Sequence, residues 1–262
     1  MRPLRRSQCV EPSKMQVITF DIGNTRASVG YFIDGQLDWR RDVSLDVLRH
    51  EIGTYLKPNP DLCVLSCVSA KAIFILDEIR NQIKCPIVNV RSENAPLKIH
   101  YDHPENLGQD RIANALAASL HSKTGAIVVD LGTATHFDIV DPHGEFWGGP
   151  IYAGVETMLS ALTMRIPHLP NPELTSEIQP LSQNTFDAIR TGTILCTAGG
   201  IERIIFEIRK TLDYLPKTIL TGGNANLIEP HIAYDEWVPN LTLEGLCEYG
   251  VRTLSGARKI SA

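Results

Sequence analysis

The sequence predicts an α/β protein made of two halves that begin in the same way. Apolar stretches with strand character alternate with amphipathic helical stretches along most of the 262 residues. Near the start, "ITFDIGNTRA" at 18–27 carries Asp21, then Gly23 and amide or hydroxyl side chains. At 128–137, "VVDLGTATHF" has the same outline, and its Asp130 follows Asp21 by 109 residues. A strand, turn and strand unit that occurs twice indicates a duplicated architecture.

Length and composition indicate an ordinary globular protein. A chain of 262 residues is long enough for two domains of roughly 100 to 130 residues each. We expect an N-terminal extension at 1–14, a first domain at 15–122 and a second domain at 123–262. The net charge of −5 lacks the basic excess of nucleic-acid-binding proteins, so nucleic acid is not an expected partner. The extension holds four basic residues, and one alternative is that it is an arm for an acidic partner.

Cysteines and apolar runs bear on the cellular compartment. The six cysteines form no CxxC pair, and no group of Cys and His has the spacing of zinc ligands. Scattered thiols fit a reducing cytosol. No apolar run approaches the about 20 residues of a membrane span, and the basic start is not followed by the apolar segment of a signal peptide. We therefore expect a cytoplasmic protein with no membrane partner.

The first half is predicted to open with three strands joined by tight turns. The stretch 15–43 reads as a strand, a turn, a returning strand, a second turn at "DG" and a third strand. A polar loop that contains proline leads into a helix rich in Ala and Leu. The remaining predicted elements of this half are helices at 45–56, 72–83 and 111–123 and strands at 62–69 and 85–90.

The second half is predicted to repeat this opening. The stretch 125–149 reads as the same three strands, with "PHG" at the second turn, and the halves meet near 120–125. A glycine pair at 199–200 predicts a break in the helical stretch 185–212. The other predicted elements are helices at 154–166 and 241–258, a loop at 167–184 and a strand from 217 that ends in two glycines.

The repeated turn suits the binding of phosphate. An acid at a strand end, followed by Gly and then Asn or Thr, offers backbone N–H groups and hydroxyls to an anion and a carboxylate to a cation. The Walker pattern GxxxxGK[ST] and a GxGxxG turn between strand and helix are both absent. One copy alone also reads as an ordinary hairpin turn. Two copies, with a further glycine pair at 222–223 after a third strand, favour a phosphate clamp.

This constellation resembles the actin, Hsp70 and sugar kinase superfamily, in which two ribonuclease H-like domains hold ATP in the cleft between them. Within that superfamily, residues 15–262 resemble the type III pantothenate kinases. The most specific element is "NLGQDRIANALAA" at 106–118, where the family has a G-x-D-R segment at the start of a helix. The resemblance implies that the chain converts pantothenate to 4′-phosphopantothenate with ATP, the first step of coenzyme A biosynthesis.

The G-x-D-R segment supplies the general base of that family and grips its substrate. The resemblance therefore implies Asp110 as the base and Gly108, Gln109, Asp110 and Arg111 as substrate contacts. The chemistry agrees, because a carboxylate can accept the proton of an attacking hydroxyl and an arginine can hold a carboxylate bidentately. Pantothenate carries both groups. The alternative from the residues alone is that Asp110 caps the helix and Arg111 is a solvated first-turn residue.

The resemblance also implies the remaining site residues. It implies an ATP contact at Thr133, Mg²⁺ near Asp21 and a monovalent cation, K⁺ or NH₄⁺, at Asp130. It further implies that Tyr101 lines the pantothenate pocket. Thr185 would contact substrate on a segment that the family places at a dimer interface, so a homodimer is expected. The first phosphate loop would comprise Asp21, Ile22, Gly23, Asn24, Thr25, Arg26, Ala27 and Ser28.

Two positions depart from the family pattern. His136 stands where the family has a second threonine, and Ala153 stands where it has proline. His136 reads either as a buried strand histidine or as a contact of nucleotide or cation. His100 and His103 read as loop residues rather than metal ligands. Trp147 reads as a residue that packs a turn rather than one that stacks on a base.

Two other functions stay open at this point. One is a kinase for another small hydroxy acid or a sugar, and the other is a non-catalytic regulator on the same scaffold. Intact Asp21, Asp110, Arg111 and Asp130 argue against lost catalysis, and the acidic net charge argues against DNA binding. ADP release with pantothenate, measured with and without potassium, would separate these functions.

Overall fold

A computed structural model describes residues 14–56, 59–69 and 72–260, without the side chains of residues 73 and 257–260. Within these residues the chain forms two five-stranded sheets and seven α-helices. The predicted N-terminal extension at 1–14 lies outside the described residues except for its last residue. Among the described residues, no helix has the length and apolarity that a membrane crossing requires.

The first half of the chain forms one sheet. Its strands are β1 (Gln16–Ile22), β2 (Arg26–Ile33), β3 (Gln36–Ser44), β4 (Leu62–Cys67) and β5 (Ile87–Asn89). Their spatial order is β3-β2-β1-β4-β5, with β1 to β3 antiparallel and β4 and β5 parallel to β1. Asp34 and Gly35 both have positive φ, which is the geometry of a two-residue hairpin, so the predicted "DG" turn is confirmed.

The second half repeats the first. Its strands are β6 (Ala126–Leu131), β7 (Ala134–Val140), β8 (Ile151–Ala153), β9 (Lys217–Thr221) and β10 (Glu236–Trp237). The order β8-β7-β6-β9-β10 has the same antiparallel and parallel pairings as the first sheet. The predicted duplication is therefore confirmed at the level of sheet topology.

Two helices lie between the sheets. The helices are α1 (Leu45–Tyr55), α2 (Ile73–Gln82), α3 (Gln109–His121), α4 (Val155–Arg165), α5 (Thr185–Thr211), α6 (Ala225–Ile228) and α7 (Leu241–Ile260). The apolar side chains of α3 and α7 share one core with inward-facing residues of both sheets. The other face of the first sheet is covered by α1 and α2, and the other face of the second sheet by α4, α5 and α6.

The two central helices approach each other closely because Gly245 of α7 faces the backbone of α3. A Cβ at this position would lie 1.9 Å from the carbonyl oxygen of Ala113. Although α7 follows the second sheet in the sequence, it packs on β1 and β4 of the first sheet. The predicted domain division at 122/123 separates the two sheets and stays a prediction.

Two expectations about the elements were wrong, and one strand was missed. The glycine pair 199–200 does not break α5, because Ala198, Ile201 and Ile205 are buried there and outweigh the about 1 kcal/mol that a glycine costs a helix. The third strand of the second half is β8, whereas 145–149 is joined to β7 by an isolated bridge between Val140 and Phe146 and by hydrogen bonds to Ile139, because Gly148 and Gly149 take positive φ and prevent a continuous strand. The two-residue strand β10 was not predicted.

Candidate active site

The ends of two strands bring the repeated acids together. Asp21 lies near the end of β1 and Asp130 near the end of β6, each just before its turn. The charges of Asp110 and Asp130 both act on Asp21, so the three carboxylates share one region of the protein. His136 and Asp138 of β7 complete this group. We call it the acid cluster: Asp21, Asp110, Asp130, His136 and Asp138.

The strand register explains how one histidine comes to lie among these acids. In the antiparallel pairing of β6 with β7, His136 lies directly opposite Asp130. Asp138 follows His136 by two residues, so both side chains project from the same face of β7. His136 Nε2 is 3.6 Å from Asp130 Oδ2 and 3.9 Å from Asp110 Oδ2. Its Nδ1 is 3.2 Å from Asp138 Oδ2, so one imidazole contacts three carboxylates.

His136 carries a positive charge at neutral pH. Its residue surface is 7% exposed, and burial alone would lower its pKa. The charges of Asp138, Asp130 and Asp110 outweigh burial and raise the pKa to about 10. His136 is therefore a buried strand histidine, and its charge also makes it a cation within the acid cluster.

Asp110 lies inside the first turn of α3. The N-cap residue of that helix is Gly108, and Asp110 Oδ1 accepts a hydrogen bond from the backbone N–H of Arg111 at 2.8 Å. Asp110 is therefore not the N-cap residue, although its carboxylate does accept one of the first backbone N–H groups of the helix. Burial raises the pKa of Asp110, the charges of Asp130 and Asp138 raise it further, and His136 opposes them. A raised pKa brings a carboxylate nearer to the pH at which a general base works best.

Arg111 is buried and held on two sides. Only 3% of its surface is exposed, so the alternative of a solvated first-turn residue is wrong. Its Nε donates to Asp138 Oδ1 at 2.6 Å, and its Nη2 donates to the carbonyl oxygens of Phe137 at 2.7 Å and Gly149 at 3.1 Å. The guanidinium also lies 5.5 Å from the ring centre of Phe146. Among the described residues, Nη1 makes no hydrogen bond, so this nitrogen is the donor left for a ligand.

The first predicted phosphate loop joins β1 to β2 in a tight turn. The N–H of Gly23 donates to the carbonyl oxygen of Arg26 at 2.9 Å and closes the turn. Asn24, Thr25 and Arg26 are exposed at its tip. Their side chains are therefore accessible to a ligand, and contact of these residues with ATP stays a prediction.

Three other members of that loop have side chains that are already engaged. Ile22 and Ala27 are buried in the core on the outer face of the first sheet, so they can offer only backbone groups to a nucleotide. Ser28 Oγ donates to Asp42 Oδ1 of β3 at 2.6 Å. The predicted ATP contacts therefore divide into exposed tip residues and residues that support the turn.

The turn between β6 and β7, which contains Thr133, is supported by two neighbouring segments. Thr133 is exposed at its tip, and its carbonyl oxygen accepts hydrogen bonds from Gly154 N at 3.0 Å and Thr157 Oγ1 at 2.6 Å. Gly222, in the loop that follows β9, packs against this turn. A Cβ at this position would lie 2.4 Å from the N atom of Leu131. The start of α4 and the loop after β9 thus fix the position of the second turn.

The remaining predicted substrate contacts fall in two places. Gln109 Oε1 accepts a hydrogen bond from Cys67 N at 2.8 Å, which ties the start of α3 to the end of β4. Tyr101 is 39% exposed and lies 6.5 Å from the ring of Phe146, the ring that Arg111 also covers. Thr185 is the exposed first residue of α5 and makes no hydrogen bond to the acid cluster among the described residues.

Sequence reasoning missed three polar residues of the site. Asn114 Nδ2 donates to Asp130 Oδ2 at 2.9 Å and to Asp138 Oδ2 at 3.3 Å. Ser66 Oγ donates to Asp21 Oδ1 at 2.9 Å. Two signals were available: Asp138 has the same strand phase as His136, and Asn114 has the same helix face as Arg111. Ser66 carries no such signal, because it meets Asp21 only through the parallel pairing of β1 with β4.

The oxygen-rich chemistry of the acid cluster fits a hard cation such as Mg²⁺. Among the residues described, no three His, Cys, Asp or Glu side chains form a complete metal site. Mg²⁺ near Asp21 would therefore take most of its ligands from phosphate and water, as is usual for this ion. Asp130 Oδ2 is engaged by Asn114, whereas its Oδ1 faces Gly222. That oxygen is the one available for the predicted monovalent cation.

Trp147 packs a turn, as predicted. Its ring stacks on the imidazole of His100 at 3.8 Å between centres, and its Nε1 donates to Asp141 Oδ2 at 2.9 Å. His100 Nε2 is in turn 2.6 Å from Glu145 Oε2. These contacts fix the segment that leads to Gly149, one of the residues that hold Arg111.

Comparisons with known proteins show the family to which this sequence is similar. A family model described as type III pantothenate kinase matches residues 17–207. A type III pantothenate kinase of Syntrophus aciditrophicus is 31% identical over 246 residues, which cover 88% of this chain and 96% of the relative. Another, of a Parafrankia strain, is 35% identical over 245 residues, which cover 88% of this chain and 95% of the relative.

Solved structures agree on the fold. MreB5 of Spiroplasma citri bound to ADP is 12% identical, with a TM-score of 0.54 over 94% of this chain and 99% of that one. A Campylobacter jejuni protein, described in terms of the Baf family of transcriptional activators, is 22% identical, with a TM-score of 0.55 over 88% of this chain and 96% of its own. The fold is thus the duplicated α/β fold of actin-like ATPases and sugar kinases. The sequence match and the fold together show that this chain belongs to the type III pantothenate kinase family.

Proposed function

We propose that this protein transfers the γ-phosphoryl group of ATP to the primary hydroxyl of pantothenate. The product is 4′-phosphopantothenate, and the reaction is the first step of coenzyme A biosynthesis. Membership of the family supports this function. The observation that carries it is the position of two adjacent residues at the start of α3: Asp110 belongs to the acid cluster, and Arg111 forms an ion pair with Asp138 of that cluster. In this proposal, Asp110 acts on the primary hydroxyl of pantothenate and Arg111 binds its carboxylate.

Each member of the pair has one task. Asp110 accepts the hydroxyl proton as the hydroxyl oxygen forms its bond to the γ-phosphorus atom and the bond to the bridging oxygen of ADP breaks. Arg111 binds the pantothenate carboxylate through Nη1, because Nε and Nη2 are already engaged. A bidentate contact through two nitrogens would require one of these bonds to be given up. Tyr101 lines the same pocket, beside Phe146.

The nucleotide lies between the two turns in this proposal. Its phosphates contact the loop 21–28 and the turn at Thr133, whose exposed residues offer N–H and hydroxyl donors. Mg²⁺ near Asp21, when bound, neutralises negative charge on the phosphates. A monovalent cation at Asp130 is the remaining cofactor of the proposal.

We also propose a cytoplasmic homodimer that contacts neither nucleic acid nor membrane. The helix α5 carries exposed apolar side chains at Leu195 and Phe206, which are 11 residues apart and therefore lie on one face of the helix. Exposed apolar residues of this size commonly mark an interaction surface when they cluster. Thr185, a predicted substrate contact, is exposed in the single chain. A second copy bound at α5 would place residues of the partner beside it.

Replacement of the base tests the function. Asp110→Asn keeps the shape of the side chain and removes its ability to accept a proton. We expect pantothenate-dependent ADP release to fall by about 10² to 10⁴ in kcat. Steady-state kinetics with coupled ADP detection measures this loss. Near-full turnover in the variant would refute the role of Asp110.

Two controls accompany this experiment. Asp77→Asn changes an exposed carboxylate of α2 and should leave turnover unchanged. A thermal shift on adding MgATP should be retained in Asp110→Asn, which shows that nucleotide binding survives. A panel of small hydroxy acids and sugars tests the substrate, and indifference of the wild-type protein to pantothenate would reject the proposed function.

A further inference from the structure

Asp138 is a fully buried carboxylate that the reaction described above does not use. It is 0% exposed and lies in the middle of β7. Its two oxygens have three polar neighbours: Arg111 Nε at 2.6 Å, His136 Nδ1 at 3.2 Å and Asn114 Nδ2 at 3.3 Å. The charges of His136 and Arg111 outweigh burial and lower the pKa of Asp138, so the side chain is an anion. A buried anion with these partners holds cationic side chains in place.

The contacts of Arg111 show what Asp138 holds. A guanidinium has five N–H groups in a rigid plane. Three of them point at Asp138 and at the carbonyl oxygens of Phe137 and Gly149. Phe137 and Asp138 are consecutive residues of β7, so both contacts come from one strand inside the second sheet. Fixing this plane also fixes the direction of the two N–H groups on Nη1.

Pre-organisation of this kind favours ligand binding. An arginine side chain has many rotamers, and ordering it when a ligand binds costs about 0.5 to 1.5 kcal/mol. Here the side chain is already ordered in the folded protein, by an ion pair whose side chains are 4% and 0% exposed. Phe146 on one side of the guanidinium further restricts its movement.

We propose that Asp138 is a positioning residue that acts through Arg111 to set where the substrate carboxylate binds. This inference rests on the proposed function and deepens it by assigning carboxylate selectivity to a buried ion pair. Asp138 itself does not contact the substrate. It selects for a carboxylate because the nitrogen it leaves available, Nη1, belongs to a cation of fixed orientation.

The test compares pantothenate with its alcohol analogue, in which a CH₂OH group replaces the carboxylate. Asp138→Asn keeps the size of the side chain and removes its charge. We expect the KM for pantothenate to rise about tenfold or more, since a charged hydrogen bond is lost. The KM for ATP should stay within about twofold, and kcat should fall less than the KM rises. The preference of the wild-type protein for pantothenate over the alcohol should shrink by the same factor.

A double-mutant cycle separates positioning from general destabilisation. If Asp138 acts through Arg111, Asp138→Asn should have no further effect on the KM for pantothenate in an Arg111→Gln background. Additive effects of the two substitutions would overturn the proposal. An unchanged preference for pantothenate over the alcohol in a folded Asp138→Asn would also overturn it.

Further measurements keep the test decisive. Asp138→Glu retains the charge and displaces the carboxylate, so it should lose carboxylate preference with little loss of kcat. The same comparison in this variant decides the question if Asp138→Asn does not fold. Failure of the wild-type protein to release ADP with pantothenate would reject the proposed function. Normal wild-type turnover with unaltered selectivity in the variants would reject only the role of Asp138.

Discussion

At the scale of single residues, Asp21 holds a charge that the folded protein disfavours. Burial is the main cause, and the charge of Asp110 adds to it, so the pKa rises from 3.8 to about 7. The hydrogen bond from Ser66 lowers the pKa but does not offset burial. Carboxylates that bind cations often have a raised pKa in the empty site, because no cation is present to offset the repulsion between neighbouring carboxylates.

This gives a prediction about Asp21→Asn. A carboxyl group whose pKa is raised on folding stabilises the protein below its unfolded pKa, and this contribution is lost as the pH rises through the folded pKa. The amide does not ionise, so the variant should melt at a higher temperature than the wild-type protein. The difference should grow between pH 3.8 and about pH 7 and stay constant above. Thermal unfolding without nucleotide or divalent cation, measured across this range, checks it.

The same variant should lose activity while it gains stability. We expect pantothenate-dependent turnover to fall because the Mg²⁺ site is impaired. Asp34→Asn, at the exposed hairpin between β2 and β3, is a control for removal of one negative charge. A melting temperature for Asp21→Asn that tracks the wild type at every pH would contradict the assignment.

At the scale of elements, the packing of α7 against α3 fixes the position of the helix that carries Asp110 and Arg111. The helix α3 carries Asp110 and Arg111, and α7 supports it from the side of the first sheet. Thr242 Oγ1 of α7 donates to Asn114 Oδ1 at 2.8 Å, and Asn114 Nδ2 in turn donates to Asp130 and Asp138 of the acid cluster. Any displacement of α7 would therefore be transmitted to Asp130 and Asp138 through one amide group.

Gly245→Ala tests this packing. Its methyl group would overlap the carbonyl oxygen of Ala113, and overpacking of this kind costs about 1 to 3 kcal/mol. We expect the melting temperature to fall by about 2 to 4 °C for each kcal/mol. Gly256→Ala in the same helix meets nothing within 4 Å and should leave the melting temperature unchanged or raise it. Equal melting temperatures for the two variants would argue against close packing of the two helices.

The elements also show how far sequence patterns reach. Hairpins such as Asp34–Gly35 were predicted correctly because the turn residues determine them locally. The break expected at 199–200 was wrong because propensity is local, whereas the burial of Ile201 and Ile205 is a tertiary effect. The strand β10 pairs with β9 over two residues only, too few for an alternating pattern to be recognised.

The site shows the same limit. Asp110 and Arg111 stand in a motif, and Asp21 and Asp130 stand in a repeat, so all four were predicted from the sequence. Asp138 and Asn114 were not, because their partners are separated from them by 16 to 27 residues along the chain. The burial of Arg111 could not be predicted for the same reason, since its partners Phe137, Asp138 and Gly149 are 26 to 38 residues away along the chain.

At the scale of the whole molecule, exposed apolar residues on α5 are expected to form the homodimer. Leu195 and Phe206 are 11 residues apart, about three helical turns, so they lie on one face. We expect Phe206→Glu to convert a dimer to a monomer, because it introduces a charge into an apolar contact. The cations Arg203 and Lys210 beside Phe206 should keep the variant folded. Light scattering against the 29.0-kDa chain mass measures the change.

A matched control lies in the first half of the chain. Phe74 of α2 is 45% exposed against 56% for Phe206, and Arg49 lies 5.0 Å from its ring centre. Phe74→Glu therefore makes a similar change away from α5 and should leave the mass in solution unaltered. A monomeric wild-type protein, or a dimer that survives Phe206→Glu, would exclude this part of α5 as the interface.

The backbone of Gly149 makes this position sensitive to amino-acid substitution. Its φ is +148°, and a Cβ there would lie 2.1 Å from the carbonyl oxygen of Phe137, one of the two that bind Arg111. The other is the carbonyl oxygen of Gly149 itself. Any side chain at this position would thus push apart both acceptors of one guanidinium nitrogen. Substitution of Gly149 would therefore impair recognition of a carboxylate substrate, although glycine has no side chain that could bind it. A survey of variants that considers only residues with polar side chains would miss this position.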